Sequence, residues 1–182
     1  MGMASHSRET WLDAAFHNFN QHGLAAVRVE ALARELGATK GSFYWHFENR
    51  AALVAAIMDR WEQSETDRII ELTSSLDSAE ERLATVYELV GMRMMERGGD
   101  KTLYAEAESE GVAEVVARVT ARRIAYVAEI LAELGVSDAE ERAIVAVSAA
   151  IGLQQLYAGG WRSEHVRGIS STLFGMSLSR PA

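Results

Sequence analysis

The chain has 182 residues, 48% of them hydrophobic, with no cysteine, one proline (at position 181) and a formal net charge of −8. There is enough apolar material for one compact domain, or for a small domain and a larger one. The composition excludes a disulfide scaffold and thiolate chemistry, and the acidity argues against a protein that holds nucleic acid by bulk charge alone. The charge is uneven. Residues 1–50 carry five basic and five acidic side chains, while residues 51–182 carry 13 basic against 21 acidic. A neutral head therefore precedes an acidic body. Strand-type alternation is absent, so an all-α chain is expected.

The first helix is expected over roughly residues 7–22, with Ser7 suited to cap it and Trp11, Leu12, Ala15, Phe16 and Phe19 on its inner face. A second follows in which Val29, Leu32, Ala33 and Leu36 recur at three-and-four spacing, with Glu30, Arg34 and Glu35 opposite. Gly37 stops it, since glycine tolerates the left-handed backbone that closes helices. Thr39 then caps a third helix holding Lys40, Gly41, Ser42, Tyr44, Trp45 and His46. Phe43 and Phe47, four residues apart, anchor one face of it, while Gly41 and Trp45 point away from that face with Ser42 and Tyr44 on its flanks.

Two short helices joined this way fit a helix-turn-helix, whose second helix enters the major groove of DNA. The side chains suit that task. Thr39, Ser42 and Tyr44 can donate to phosphate oxygens and Lys40 can neutralise one. Trp45 can meet thymine methyls or a base edge, and Gly41 lets the backbone come close. The same residues would also suit an ordinary buried helical hairpin.

The segment resembles the DNA-binding domain of the TetR family of bacterial transcriptional regulators. The matching residues are Ala15 and Phe16, Gly23, Leu32-Ala33, Leu36-Gly37, the run Thr39-Lys40-Gly41-Ser42-Phe43-Tyr44, and His46-Phe47. They cover about the first third of the chain. The resemblance implies an all-helical homodimeric repressor with a three-helix DNA-binding domain over residues 1–50. A larger helical domain over 51–182 would bind a small molecule and hold the dimer together. One departure stands out. The family usually places Thr or Ser just before the second helix, and here the stretch is Val27-Arg28. Arg28 is then expected at a phosphate, with the capping bond in doubt.

Beyond the head, Asn49 caps a long helix through Leu53, Ile57 and Trp61 to about Leu76, broken by Asp77-Ser78. Ser78 to Glu81 reads as a capping box for a helix to about Glu96. Arg97 to Lys101 is a loop, and a short helix near 102–109 follows it. The next helix spans about 111–134, with Val115, Val119, Ile124, Val127 and Leu131 inward. Ser137 to Glu140 caps another, ending near Gly159-Gly160, and a last helix runs over about 163–178.

Residues 143–158 are apolar or small all round, which predicts cover on several sides. Ala146, Ala149 and Ala150, with Gly152, allow close approach of a neighbour, and Val166, Ile169, Leu173, Phe174 and Met176 form an apolar strip on the last helix. Meeting their two-fold copies, these helices would make a four-helix interface, where the resemblance places the dimer contact; completing the monomer core is the plainer use. The ligand candidates are Trp61, Tyr87, Met92, Met95, Tyr104, Gln154, Tyr157 and Trp161. Aromatic, Met and Gln side chains line pockets, though they also build cores. With the small-molecule site that the resemblance implies, they point to a hydrophobic or aromatic effector.

No glycine-rich phosphate loop, HExxH, clustered metal-ligand spacing or GxSxG occurs, so neither catalytic residues, nor a metal, nor a cofactor is expected. No signal-peptide core appears, and the longest apolar run, Ala143 to Leu153, is too short to span a bilayer. The reading is a cytoplasmic regulator that binds a double-stranded palindromic operator and releases it when a small molecule binds. Activation of transcription, or control by a protein partner, stays open.

Overall fold

A computed structural model describes residues 6–93, 102–162, 164 and 168–179, with backbone alone at 94–96, 100 and 101. The described residues are helical, with no strand among them. Contacts gather the chain into two compact units, residues 1–62 with 97–115 and residues 63–96 with 116–182. These limits differ from a boundary at residue 50. The reason lies in the helix after it, whose Leu53, Val54, Ile57, Met58 and Trp61 are buried and close the core of the first unit.

In the first unit, α1 (Arg8–His22) begins at Ser7, whose Oγ accepts from the Thr10 amide at 3.1 Å. Trp11, Leu12, Ala15 and Phe19 are buried as the pattern predicted, and Phe16 is half-buried. A 3-10 turn (Leu24–Ala26) leads to α2 (Val29–Glu35), and α3 (Lys40–Phe43) follows. Gly37 adopts φ +63°, and the Ala38 amide reaches back to the Ala33 carbonyl at 2.8 Å, the left-handed closure expected there. α4 (Arg50–Glu62) is capped by Asn49 Oδ1, which accepts from the Ala52 amide at 2.9 Å. The short α7 (Asp100–Glu106) and the turn after it return to this unit, with Leu103, Ala107 and Val112 buried.

Arg50 ties these pieces together. Its Nε donates to the Val27 carbonyl at 2.7 Å, and its Nη2 donates to the Leu24 carbonyl at 2.6 Å and to Glu110 Oε2 at 2.7 Å. Close by, Gly23 has φ +80°, and a Cβ there would stand 2.4 Å from Thr102 Oγ1 and 3.0 Å from Glu106 Oε2. Glycine is demanded at that place by the backbone and by the neighbours together.

The expected uninterrupted helix from 49 to 76 is not what forms. At Gln63 the α pattern gives way to a π turn (Gln63–Asp67) before α5 (Arg68–Ser74). Ser, Thr and Asp are weak helix formers, and their polar groups find partners here. Within the second unit, Arg93 Nη1 donates to the Ser64 carbonyl at 2.5 Å, Arg123 Nε donates to Thr66 Oγ1 at 2.8 Å, and Arg122 pairs with Asp67. A π turn shifts the backbone register by one residue, and here Arg93 supplies a donor to the Ser64 carbonyl while Arg122 and Arg123 engage side chains of the same turn.

The second unit continues with α6 (Ala79–Glu96), where Ser78 Oγ accepts from the Glu81 amide at 3.0 Å as the capping box requires. α8 (Ala113–Glu133), whose residues to 115 belong to the first unit, buries Val116, Val119, Val127, Ile130 and Leu131, while Val115 and Ile124 of the expected face are half-buried. α9 (Ala139–Ala158) does not start as predicted. Asp138 sits at its cap without a capping bond, and its carboxylate instead accepts from Arg142 Nε at 2.7 Å. That pairing holds the Asp138 carboxyl below its usual range. α10 (Ile169–Leu178) starts later than the expected 163; residues 163 and 165–167, and so Val166 of the expected strip, lie outside the described residues, as do residues 97–99, and the loop expected through Lys101 is shorter because α7 already begins at Asp100. The core of this unit joins Ile69, Leu83, Val86, Tyr87, Val127, Ile130, Leu131, Ala143 and Ala146. No helix of the described residues is long and apolar enough to cross a membrane.

Candidate nucleic-acid interface

The turn that carries the reading residues is built from below by aromatic packing. Phe43 is fully buried, with its ring 5.4 Å from Trp11 edge-on and 5.6 Å from Phe47 in a stack. Burying a ring of this size is worth about 1.5–3 kcal/mol. Arg8 lies over the outer side of Phe47, 4.8 Å from the ring centre. The regular α-helix ends at Phe43, sooner than the sequence suggested, and residues 44–46 complete the segment as turns. The anchor still holds, because the Phe47 amide donates to the Phe43 carbonyl at 3.0 Å and keeps the two rings on one side.

Above this anchor Trp45 is 83% exposed and Tyr44 51% exposed. Thr39, Lys40 and Gly41 are exposed too, and Ser42 and His46 are half-buried. A Cβ on Gly41 would meet nothing nearer than Thr39 Oγ1 at 3.7 Å, so the fold itself does not demand glycine there. The structure therefore brings Thr39, Lys40, Gly41, Ser42, Tyr44, Trp45 and His46 together on one short segment. Arg28, exposed at the start of α2, makes no side-chain cap, in line with the departure noted at that position.

Several polar groups of the segment already have partners. Thr39 Oγ1 accepts from the Ser42 amide at 3.2 Å, and Ser42 Oγ donates to the Thr39 carbonyl at 2.8 Å. Lys40 Nζ donates to Glu30 Oε1 at 2.5 Å. That bond raises the Lys40 ammonium above its ordinary value, and the same bond, helped by the Glu30 backbone, lowers the Glu30 carboxyl. Sequence reasoning placed Glu30 merely on the outer face of α2. The pair spans ten residues and a turn, outside the three- and four-residue spacings that a helical pattern can reveal.

The expected ligand residues are divided between the two units. Trp61 and Tyr104 belong to the first unit, and Tyr87, Met92, Gln154, Tyr157 and Trp161 to the second. Trp61 is fully buried, which fits a core position. Tyr87 is buried too, its hydroxyl sharing a hydrogen bond of 2.7 Å with Ser177 Oγ, and burial raises its phenol above the ordinary value. Met92 and Trp161 are exposed, while Tyr104, Gln154 and Tyr157 are half-buried; Trp161 packs edge-on against Tyr157 at 5.8 Å. Met95 lies outside the described residues. A depression of about 330 Å³ in the second unit is lined by none of them, but by Arg142, Val145, Leu173 and Met176 among others.

Of the expected interface residues, Ala146 is buried in the core of the second unit, while Ala149, Ala150, Ile169, Leu173 and Phe174 are half-buried. Nor is α9 covered all round in the single chain. Ile144, Val145 and Leu156 on it, and Met176 on α10, are exposed.

A buried aromatic anchor beneath an exposed turn, following a second short helix and a glycine closure, defines the N-terminal part as a helix-turn-helix domain within an all-helical protein. Residues 12–57 match the family model described as bacterial regulatory proteins, tetR family. The chain is 34% identical over 64 residues to the HTH-type transcriptional regulator AcrR of Shigella flexneri, covering 35% of this chain and 28% of that regulator. It is 36% identical over 55 residues to the tetracycline repressor protein class D of Escherichia coli, covering 30% and 25%. The matches thus span roughly a quarter of the length of these relatives. In fold the likeness is wider. A TetR-like transcriptional regulator from Rhodococcus sp. RHA1 superposes with a TM-score of 0.75 at 24% identity, covering 93% of each chain. Over residues 12–57 the chain is thus similar to the tetR family of bacterial regulatory proteins, and over its length it shares the fold of a TetR-like regulator.

Proposed function

We propose that the protein is a transcriptional regulator that binds a palindromic operator as a homodimer and releases it when a small hydrophobic or aromatic effector binds beyond the head. The observation that carries the DNA half is the segment from Thr39 to Phe47. Two buried rings hold it in place while Tyr44 and Trp45 stand in solvent beside a glycine that no internal neighbour requires. Trp45 is suited to thymine methyls or a base edge, and Arg28, Thr39, Ser42, Tyr44 and His46 to phosphate and sugar groups.

The homodimer is supported by the exposed Ile144, Val145, Leu156 and Met176, which a second copy would cover in an isologous four-helix contact. Two recognition segments would then reach major-groove half-sites about 34–36 Å apart, or at a multiple of that distance. An effector acts only if it prefers one spacing of the two heads over another.

Selection of bound duplexes from a random pool tests the DNA half. The expected product is a palindrome with two half-sites; recovery of no enriched sequence refutes the reading. A thermal-shift screen against hydrophobic compounds tests the switch, because a ligand of the folded state raises the melting temperature by mass action. Hits that leave operator affinity unchanged refute small-molecule control.

A further inference from the structure

The ion pair on the outer face of the head decides what Lys40 has to give. Glu30 lies in the first turn of α2 and Lys40 opens α3, and the closing of the turn between them sets Nζ 2.5 Å from Oε1. The lysine and glutamate side chains are 54% and 62% exposed, so the pair lies open to solvent and to a competing anion. A single anionic oxygen at this distance from an ammonium is the contact that a DNA phosphate would make.

The other cations of the head sharpen the point. Arg50 is engaged with Glu110 and two carbonyls, and Arg8 lies over Phe47. Arg28 and Arg34 are exposed, and Arg28 is close enough for its charge to act on the Glu30 carboxyl. One carboxylate therefore sits on the lysine of the recognition segment.

Resting on the DNA-binding reading above, we propose that Glu30 is a specificity-determining competitor that holds Lys40 against non-operator DNA. A duplex gains Lys40 only by displacing a carboxylate with a phosphate, an exchange of one charge-assisted bond for another. Phosphate contacts supply essentially all non-specific affinity, so the exchange removes most of what Lys40 would add on arbitrary sequence. At an operator, contacts from Tyr44 and Trp45 fix the register and the exchange is carried through. Glu30 thus lowers binding to arbitrary DNA more than binding to the operator.

The test is a double-mutant cycle with Glu30→Gln, Lys40→Ala and the pair. Affinity for a labelled duplex of arbitrary sequence and for one recovered by the selection above is read by fluorescence anisotropy between about 50 and 200 mM salt. A gain in Glu30→Gln as large on the second duplex as on the first overturns the specificity role. Circular dichroism melts confirm that each variant is folded. Glu30→Gln is expected to bind about two- to five-fold more tightly per subunit at the low end. Its dependence of log affinity on log salt steepens by up to about 0.9 per subunit. In the Lys40→Ala background the same change brings no gain. An equal gain in both backgrounds overturns the proposal in favour of general repulsion between Glu30 and DNA. A loss of affinity in Glu30→Gln overturns it as well, since Glu30 would then position Lys40 rather than compete for it. If the wild-type protein binds no duplex at any salt, the DNA-binding reading itself fails.

Discussion

Replacing Gly23 by alanine tests whether the 3-10 turn and α7 are as closely packed as they look. The backbone at Gly23 has φ +80° and ψ 174°, a region reserved almost entirely for glycine, where another residue costs on the order of 1–3 kcal/mol. The new methyl would lie 2.4 Å from Thr102 Oγ1 and 3.0 Å from Glu106 Oε2. Both oxygens are buried and have no hydrogen-bond partner among the described residues, so the methyl also presses an apolar group onto atoms that need polar ones. Rotation of Thr102 relieves part of the overlap, leaving about 1 kcal/mol for the contact. The sum is about 2–4 kcal/mol. Gly37 is the internal control, with φ +63° and no atom within 4 Å of an added Cβ. Alanine there meets backbone strain alone, about 1 kcal/mol. For a chain of this length each kcal/mol moves the melting temperature by about 2–4 °C. Differential scanning calorimetry should therefore show a drop of about 4–16 °C for Gly23→Ala and about 2–4 °C for Gly37→Ala. Equal drops for the two variants would refute the close packing of α7 against the turn.

Phe43→Ala removes the ring that Trp11 and Phe47 enclose and should cost about 3–5 kcal/mol in urea unfolding, with operator binding lost along with the segment's shape. Trp45→Ala, at an exposed position, should change stability by less than about 0.5 kcal/mol yet alter the sequences recovered in a binding selection. Tyr87→Phe should cost about 1 kcal/mol through the lost hydrogen bond to Ser177. It should also remove a pH dependence. Burial lifts the Tyr87 phenol above its ordinary 10.0, so as pH rises past 10 the unfolded chain gives up this proton while the folded chain keeps it, and stability falls. Wild type and variant, compared in denaturant across that range, should differ in slope.

Where structure depends on neighbours in the chain, the residues announce it. Ser7, Thr39, Asn49 and Ser78 all accept the capping bond their positions promise, because a cap needs only its own backbone two or three residues on. Gly37 closes α2 for the same local reason, and the four-residue spacing of Phe43 and Phe47 is enough to set both rings under the recognition segment. Ser137-Asp138 shows the limit. A distant strip of carbonyls, at Met176 and Ser177 of α10 and at Ser179 just beyond it, draws in Arg142, which holds Asp138 as well, and the expected cap does not form.

The π turn at Gln63–Asp67 has a similar origin, since the arginines that engage it come from α6 and α8. Nor could spacing along a helix reveal that Glu30 holds Lys40, that Arg50 reaches Glu110 sixty residues on, or that the expected ligand residues divide between two units. Most helices, the caps at Ser7, Thr39, Asn49 and Ser78, and the Phe43–Phe47 pairing follow from the sequence alone, because they are made by residues at most four apart. Which cations are engaged, and where a helix changes register, waited on the tertiary structure, because those outcomes depend on charged side chains meeting across the fold.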